Sequence, residues 1–104
     1  MSIEVLYPRC AGIDVHQRFL VVCLSVIEAG KRHKEIRTFR HDTADLLALR
    51  AWLLQEKCSH VAMESTGVYW MPVYRRLEGF LELVEANAQQ IKAVPGRKVR
   101  HEVA

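Results

Sequence analysis

Residues 19–27 read FLVVCLSVI, a run that is apolar on both faces of any strand it forms. Such a strand belongs inside a sheet, with a neighbour on each side and cover on both faces. The flanking segments supply the neighbours. In "CAGIDVH" (10–16) Ile13 and Val15 point one way, while Gly12, Asp14 and His16 point the other. "HQR" then gives a tight reversal into the apolar strand. Gly30 with Lys31 marks a hairpin turn into a third strand of about 32–40, whose polar, charged composition suits a guarded sheet edge.

The period then changes. In "HDTADLLALRAWLLQEK" Asp42 or Thr43 can cap a helix, Asp45 favours its N-terminus and Lys57 its other end. Leu46, Leu49 and Leu53 share a face, flanked by Leu47, Trp52 and Leu54. "SHVAMES" is a short strand ending near Glu64. "STG" follows as a turn, with Ser65 or Thr66 capping a second helix of about 68–78. Its apolar face is Trp70, Val73, Tyr74 and Leu77, with Pro72 near the first turn and Gly79 at the stop. "FLELVEA" is a fifth strand. Three antiparallel strands followed by two parallel crossovers make an α/β, ribonuclease-H-like mixed sheet. Its five strands run in the order 3-2-1-4-5, with strand 2 antiparallel and helices packed on the sheet.

The chain has 104 residues, room for one domain. We expect an N-terminal extension over 1–9, the domain over 10–94 and a basic tail over 95–104. No apolar run reaches the roughly 18 residues of a membrane span, and "MSIEVLYPR" lacks a signal-peptide pattern, so a cytoplasmic location is expected, with no membrane partner. Cys10, Cys23 and Cys58 form no C-x-x-C pair and read as reduced, mostly buried side chains. Net charge is +3. It is concentrated in "KRHKEIRTFR", with five Lys/Arg against one Glu, and from Lys92 onward, where Lys92, Arg97, Lys98 and Arg100 face Glu102. Local basic clusters suit a polyanion, and equally a solvated edge strand with a loose tail.

Asp14 is the anomaly, because a carboxylate in a buried strand must be paired, exposed, or holding a cation. Sites in open α/β sheets gather beyond the carboxyl ends of parallel strands. If strands one and four are neighbours, Asp14 and Glu64 meet there, and two close carboxylates repel unless something positive lies between them. Mg²⁺ or Mn²⁺ suits such a pair, with water and substrate phosphates completing its shell. The alternative is that Asp14 caps a turn or pairs with Arg18, while Glu64 accepts from the "STG" backbone. His16, on Asp14's face, can orient water or phosphate, or simply be a hydrogen-bonded histidine.

"AGIDVHQRFLVVCL", "HVAMESTGVYWMPVYRRLE" and "VEANAQQIKAVPGRK" resemble, in that order, the N-terminal RuvC-like domain of DEDD transposases of the insertion-sequence-110 family (the 110/116/902 group). The resemblance runs from about Cys10 to Lys98, nearly the whole chain. It implies that Asp14 and Glu64 are the first and second acids of the family's tetrad. It further implies metal-dependent cutting and rejoining of DNA, a structured element-encoded RNA as partner, and a separate C-terminal domain with a serine nucleophile. His16, Arg18, Thr66, Lys92, Arg97, Lys98 and Arg100 are the candidate nucleic-acid contacts. The family continues "GRK" into a helix bearing the last two acids, where this chain reads "GRKVRHEVA" with no aspartate after Asp45. The expectation is therefore a domain truncated before the last helix, weak Mg²⁺ or Mn²⁺ binding, and no catalysis by these residues alone. Apolar surface left uncovered by that helix would favour a homodimer. The alternative is a non-catalytic nucleic-acid-binding or dimerisation remnant of a transposase. A third reading, a phosphate-binding fold of the sugar-kinase or actin-like kind, fails at "VHQR", which lacks the glycine its phosphate turn needs. Tyr69, Trp70 and Tyr74 can stack on bases but have the spacing of core residues, with Arg75 and Arg76 on the opposite, solvated side.

Overall fold

The computed structural model describes residues 7–85, with the side chain of Glu85 excepted. Five strands, β1 (Arg9–Val15), β2 (Phe19–Glu28), β3 (Lys31–Arg40), β4 (His60–Ser65) and β5 (Glu82–Glu85), form one sheet in the order β3-β2-β1-β4-β5. β1 and β2 are antiparallel, as are β2 and β3, whereas β4 runs parallel to both β1 and β5. This is the expected mixed sheet, with β1 at its centre. The helices α1 (Thr43–Gln55) and α2 (Trp70–Leu77) connect β3 to β4 and β4 to β5. Among the described residues no helix is long and apolar enough to cross a membrane.

The alternation in each strand sends one set of side chains towards the helices. Ile13 and Val15 of β1, Leu20, Val22 and Leu24 of β2, and Val61 and Met63 of β4 are buried there with Leu46, Leu49, Trp52 and Leu53 of α1 and Val73 and Leu77 of α2. Fully burying one such side chain stabilises the fold by about 1.5–3 kcal/mol. Leu47 and Leu54, expected to flank the α1 core face, are exposed, and Trp52 takes the flank alone. Trp70 and Tyr74 pack edge to face, ring centroids 5.6 Å apart, and with Tyr69 border the core. Arg75 and Arg76 are solvent-exposed, as expected.

Three local expectations change, and one pair of alternatives, the cap of α1, resolves to its first member. The β2–β3 turn is Ala29-Gly30, both at positive φ (51° and 77°), between the paired residues Glu28 and Lys31. Two left-handed residues match the twist of a two-residue hairpin, so Gly30-Lys31 is one position late. Asp42, and not Thr43, caps α1, its Oδ1 accepting from the Asp45 amide at 2.7 Å. Lys57 lies beyond the last turn of α1, at φ 58°. The amides of Lys57 and Cys58 donate to the carbonyls of Leu54 and Leu53, the paired bonds that close a helix around a left-handed residue. Finally, α2 begins at Trp70 with no side-chain cap, and Ser65 Oγ donates instead to the Thr66 carbonyl at 3.2 Å. The residues between β4 and α2 form a turn in which Gly67 takes φ 62°.

Candidate metal centre

Asp14 and Glu64 are direct register partners across the parallel β1–β4 ladder. Adjacent strands lie about 4.8 Å apart, and registered residues of a parallel pair project from the same face of the sheet. That face is the one opposite the helices. Asp14 and Glu64 line a shallow depression of ≈ 220 Å³ there, with Gly12, Val21, Cys23 and Ile36 as other walls. Both carboxylates sit near the C-terminal ends of their strands, where ligands bind in open α/β sheets. Asp14 answers its own anomaly: its side chain is 61% exposed, so it avoids the cost of burial.

Asp14 pairs with His16 rather than with Arg18. His16 Nε2 donates to Asp14 Oδ2 at 3.0 Å. The backbone behind that contact is itself held, because His41 Nε2 donates to the His16 carbonyl at 2.7 Å. The His16 amide donates to the Phe19 carbonyl at 2.9 Å, closing the turn between β1 and β2. The imidazole therefore fixes one oxygen of Asp14. Gly12 keeps the floor open: a Cβ placed there meets nothing within 4 Å, so packing does not demand the missing side chain.

The donor set is two carboxylates on one exposed face, hard oxygen ligands of the kind Mg²⁺ or Mn²⁺ takes alongside water and substrate phosphates. Among the described residues no group of three or more His, Cys, Asp or Glu converges as a metal cage. Two carboxylates are fewer than a cage, so water or phosphate oxygens would have to complete the shell of any ion held between them.

Arg18 is exposed in the β1–β2 turn, and Thr66 is exposed just past the end of β4. Lys92, Arg97, Lys98 and Arg100 lie outside the described residues. Cys10 and Cys58 are buried, but Cys23 is half-buried on the depression wall, so the expectation of buried cysteines holds for two of the three. Burial pushes the Cys58 thiol up to about 12. Gly12, Phe19 and His41 were not anticipated as parts of the site. Gly12 alternates with Asp14 and was readable as a gap beside it; Phe19 and His41 acquire their places only through the register of β2 and the end of β3.

The family model for DEDD transposases of the insertion-sequence-110 type, described as "Transposase", matches residues 11–102. Among curated proteins no sequence matches. Among solved structures, one match is the crystal structure of the Aquifex aeolicus member of the Ppx/GppA protein family, with a TM-score of 0.49 and 14% identity. The likeness covers 74% of this chain, which spans 35% of that one.

Proposed function

The chain belongs to the DEDD transposases of the insertion-sequence-110 family, and from that membership we propose that it supplies half of the metal centre for DNA strand cleavage and rejoining in transposition. The observation that carries this reading is the in-register pairing of Asp14 with Glu64 on one open sheet face. These two carboxylates would hold Mg²⁺ or Mn²⁺. Such an ion supplies charge stabilisation at a phosphodiester and a lowered pKa for bound water.

The chain's own residues prepare that site. His16 orients the Asp14 carboxylate through the 3.0 Å hydrogen bond. Gly12 leaves space beside it for a substrate phosphate. Arg18 and Thr66, exposed past the ends of β1 and β4, are suited to phosphate contacts at the rim. Lys92, Arg97, Lys98 and Arg100 add sequence-independent attraction for a polyanion. DNA is the proposed substrate and an element-encoded structured RNA the proposed partner, with the protein cytoplasmic and nucleoid-associated when bound. The domain is proposed to span 10–94, followed by a basic tail over 95–104.

Two carboxylates predict weak metal binding, and no DNA cleavage by these 104 residues alone. Calorimetric titration with Mn²⁺ tests the centre. Wild-type chain should give measurable heat that Glu64→Gln and Asp14→Asn each abolish; equal heats in all three proteins would refute it. Incubation with Mn²⁺ and supercoiled DNA should leave the DNA intact, and nicking that disappears in Asp14→Ala would overturn the expected inactivity.

One observation favours a second, non-catalytic reading. Phe19, Ile27 and Ile36 are exposed on the same face as the carboxylates, Ile36 at 67%. On this alternative reading, which would cover Phe19 and the carboxylates and so competes with the first, we propose a homodimer closed through that face. Light scattering showing a dimer that Ile36→Glu dissociates would support it, and a monomer at high concentration would contradict it.

A further inference from the structure

Resting on the assignment of Asp14 and Glu64 as the metal centre, we propose that Phe19 and His16 form a stacking platform that receives an unpaired base of single-stranded DNA beside those carboxylates. The β1–β2 turn places the two rings against each other, centroids 4.7 Å apart and planes 26° from parallel. Phe19 nevertheless remains 41% exposed. A ring stacked on one side and this exposed keeps apolar π-surface for a further partner, and every nucleobase has a matching one.

Position makes this platform part of the site. His16 holds Asp14 through Nε2, so the stack and the first carboxylate share one side chain. Phe19 projects from the sheet face that carries Asp14, two residues along β2 from Val21, the register partner of Asp14. Its own partner across the β2–β3 ladder is Arg40. The Arg40 side chain is 78% exposed and lies at the edge beside Asp42 and Asp45, its Nε 3.5 Å and 4.0 Å from their carboxylates. Arg18 is exposed in the turn between the two rings. Arg40 is engaged by its two carboxylates, so the exposed ring with the neighbouring Arg18 guanidinium matches one nucleotide unit, the base against the π-face and the phosphate near that cation.

Geometry selects the unpaired strand over the duplex. In a duplex both faces of each base are already stacked on neighbours, so the Phe19 ring has nothing to receive. A nucleotide freed from the stack gains the ring and brings its own phosphate towards Asp14 and Glu64. Substrate is thus recognised here by exposure of a base, whatever the base's identity.

The test is fluorescence anisotropy of a labelled single-stranded oligonucleotide, and of the corresponding duplex, titrated with the 104-residue chain in EDTA. Removing metal separates this inference from the ion site, whose failure would appear in Mn²⁺ titration and not here. Wild-type protein should bind the single strand more tightly than the duplex. Phe19→Ala should weaken single-strand binding roughly tenfold with duplex binding unchanged, and Phe19→Tyr should restore it. Phe19→Leu keeps apolar bulk for folding but lacks a π-face, and should lose the same affinity as Phe19→Ala. Equal single-strand affinity in Phe19→Leu and wild type, or a duplex preference in wild type, would overturn the platform.

Discussion

The face of the sheet that α1 and α2 cover and the face that carries Asp14 and Glu64 are made by the same strands, alternate residues going to each. On the covered face Ile13, Val15, Leu20, Val22, Val61 and Met63 are almost fully buried, and their identities follow from packing. On the other face their neighbours in sequence are Gly12, Asp14, Phe19, Val21 and Glu64, a mixture that packing within the described residues does not account for. A slip of one residue in register would exchange the two sets. The contrast shows where stability and chemistry divide in this chain: burial specifies one face strongly enough to hold the other in register, and that second face is then available for charges, gaps and exposed rings.

Thiol labelling draws this contrast most sharply. Cys58 is buried with its thiol raised to about 12, so at pH 8 only about one molecule in ten thousand is thiolate, the reactive form. Cys23 is half-buried on the open face. Mass spectrometry after brief alkylation of native protein should find Cys23 modified orders of magnitude faster than Cys58. Comparable rates would mean that the open face is covered or the core is loose. As pH rises towards 12 the Cys58 thiolate fraction grows, and its labelling should accelerate.

Stability should divide along the same line. Leu49 is fully buried between α1 and the sheet, and Leu49→Ala should cost about 2–5 kcal/mol in urea unfolding. A loss below 1 kcal/mol would place the core elsewhere. A smaller, opposite effect is expected at the end of α1, where Lys57 holds a left-handed conformation that disfavours a side chain. Lys57→Gly should stabilise by about 1 kcal/mol, read as a raised melting temperature. Ile36→Thr, on the open face, should change stability by less than about 0.5 kcal/mol. A loss as large as that of a core leucine would show that this isoleucine is packed.

Much of this contrast was legible in the residues themselves. The change from period two to the Leu46–Leu49–Leu53 spacing marked α1, and the order of elements determined that β1 and β4 are neighbours, which brought Asp14 to Glu64. The less legible parts depend on where backbones turn. A glycine was visible at the β2–β3 hairpin, but Ala29 gave no sign of its positive φ, so the turn was read one residue late. Ser65 and Thr66 have the composition of a cap, yet the left-handed Gly67 delays α2 until Trp70. The continuous apolarity of β2 implied cover on both faces, whereas Phe19 and Ile27 are exposed. His16 was visible on Asp14's face, but its hydrogen bond depends on a turn held by Phe19 and His41.

The central claim is that Asp14 and Glu64 act together as one ion site, and paramagnetic broadening by Mn²⁺ tests it residue by residue. Substoichiometric Mn²⁺ added to isotopically labelled protein should selectively erase the amide signals of Gly12–Val15 and Met63–Thr66 while leaving those of α1 sharp, and Glu64→Gln should restore both sets. Broadening centred on another cluster of acids, or β1 signals that stay broadened after Glu64→Gln, would contradict it.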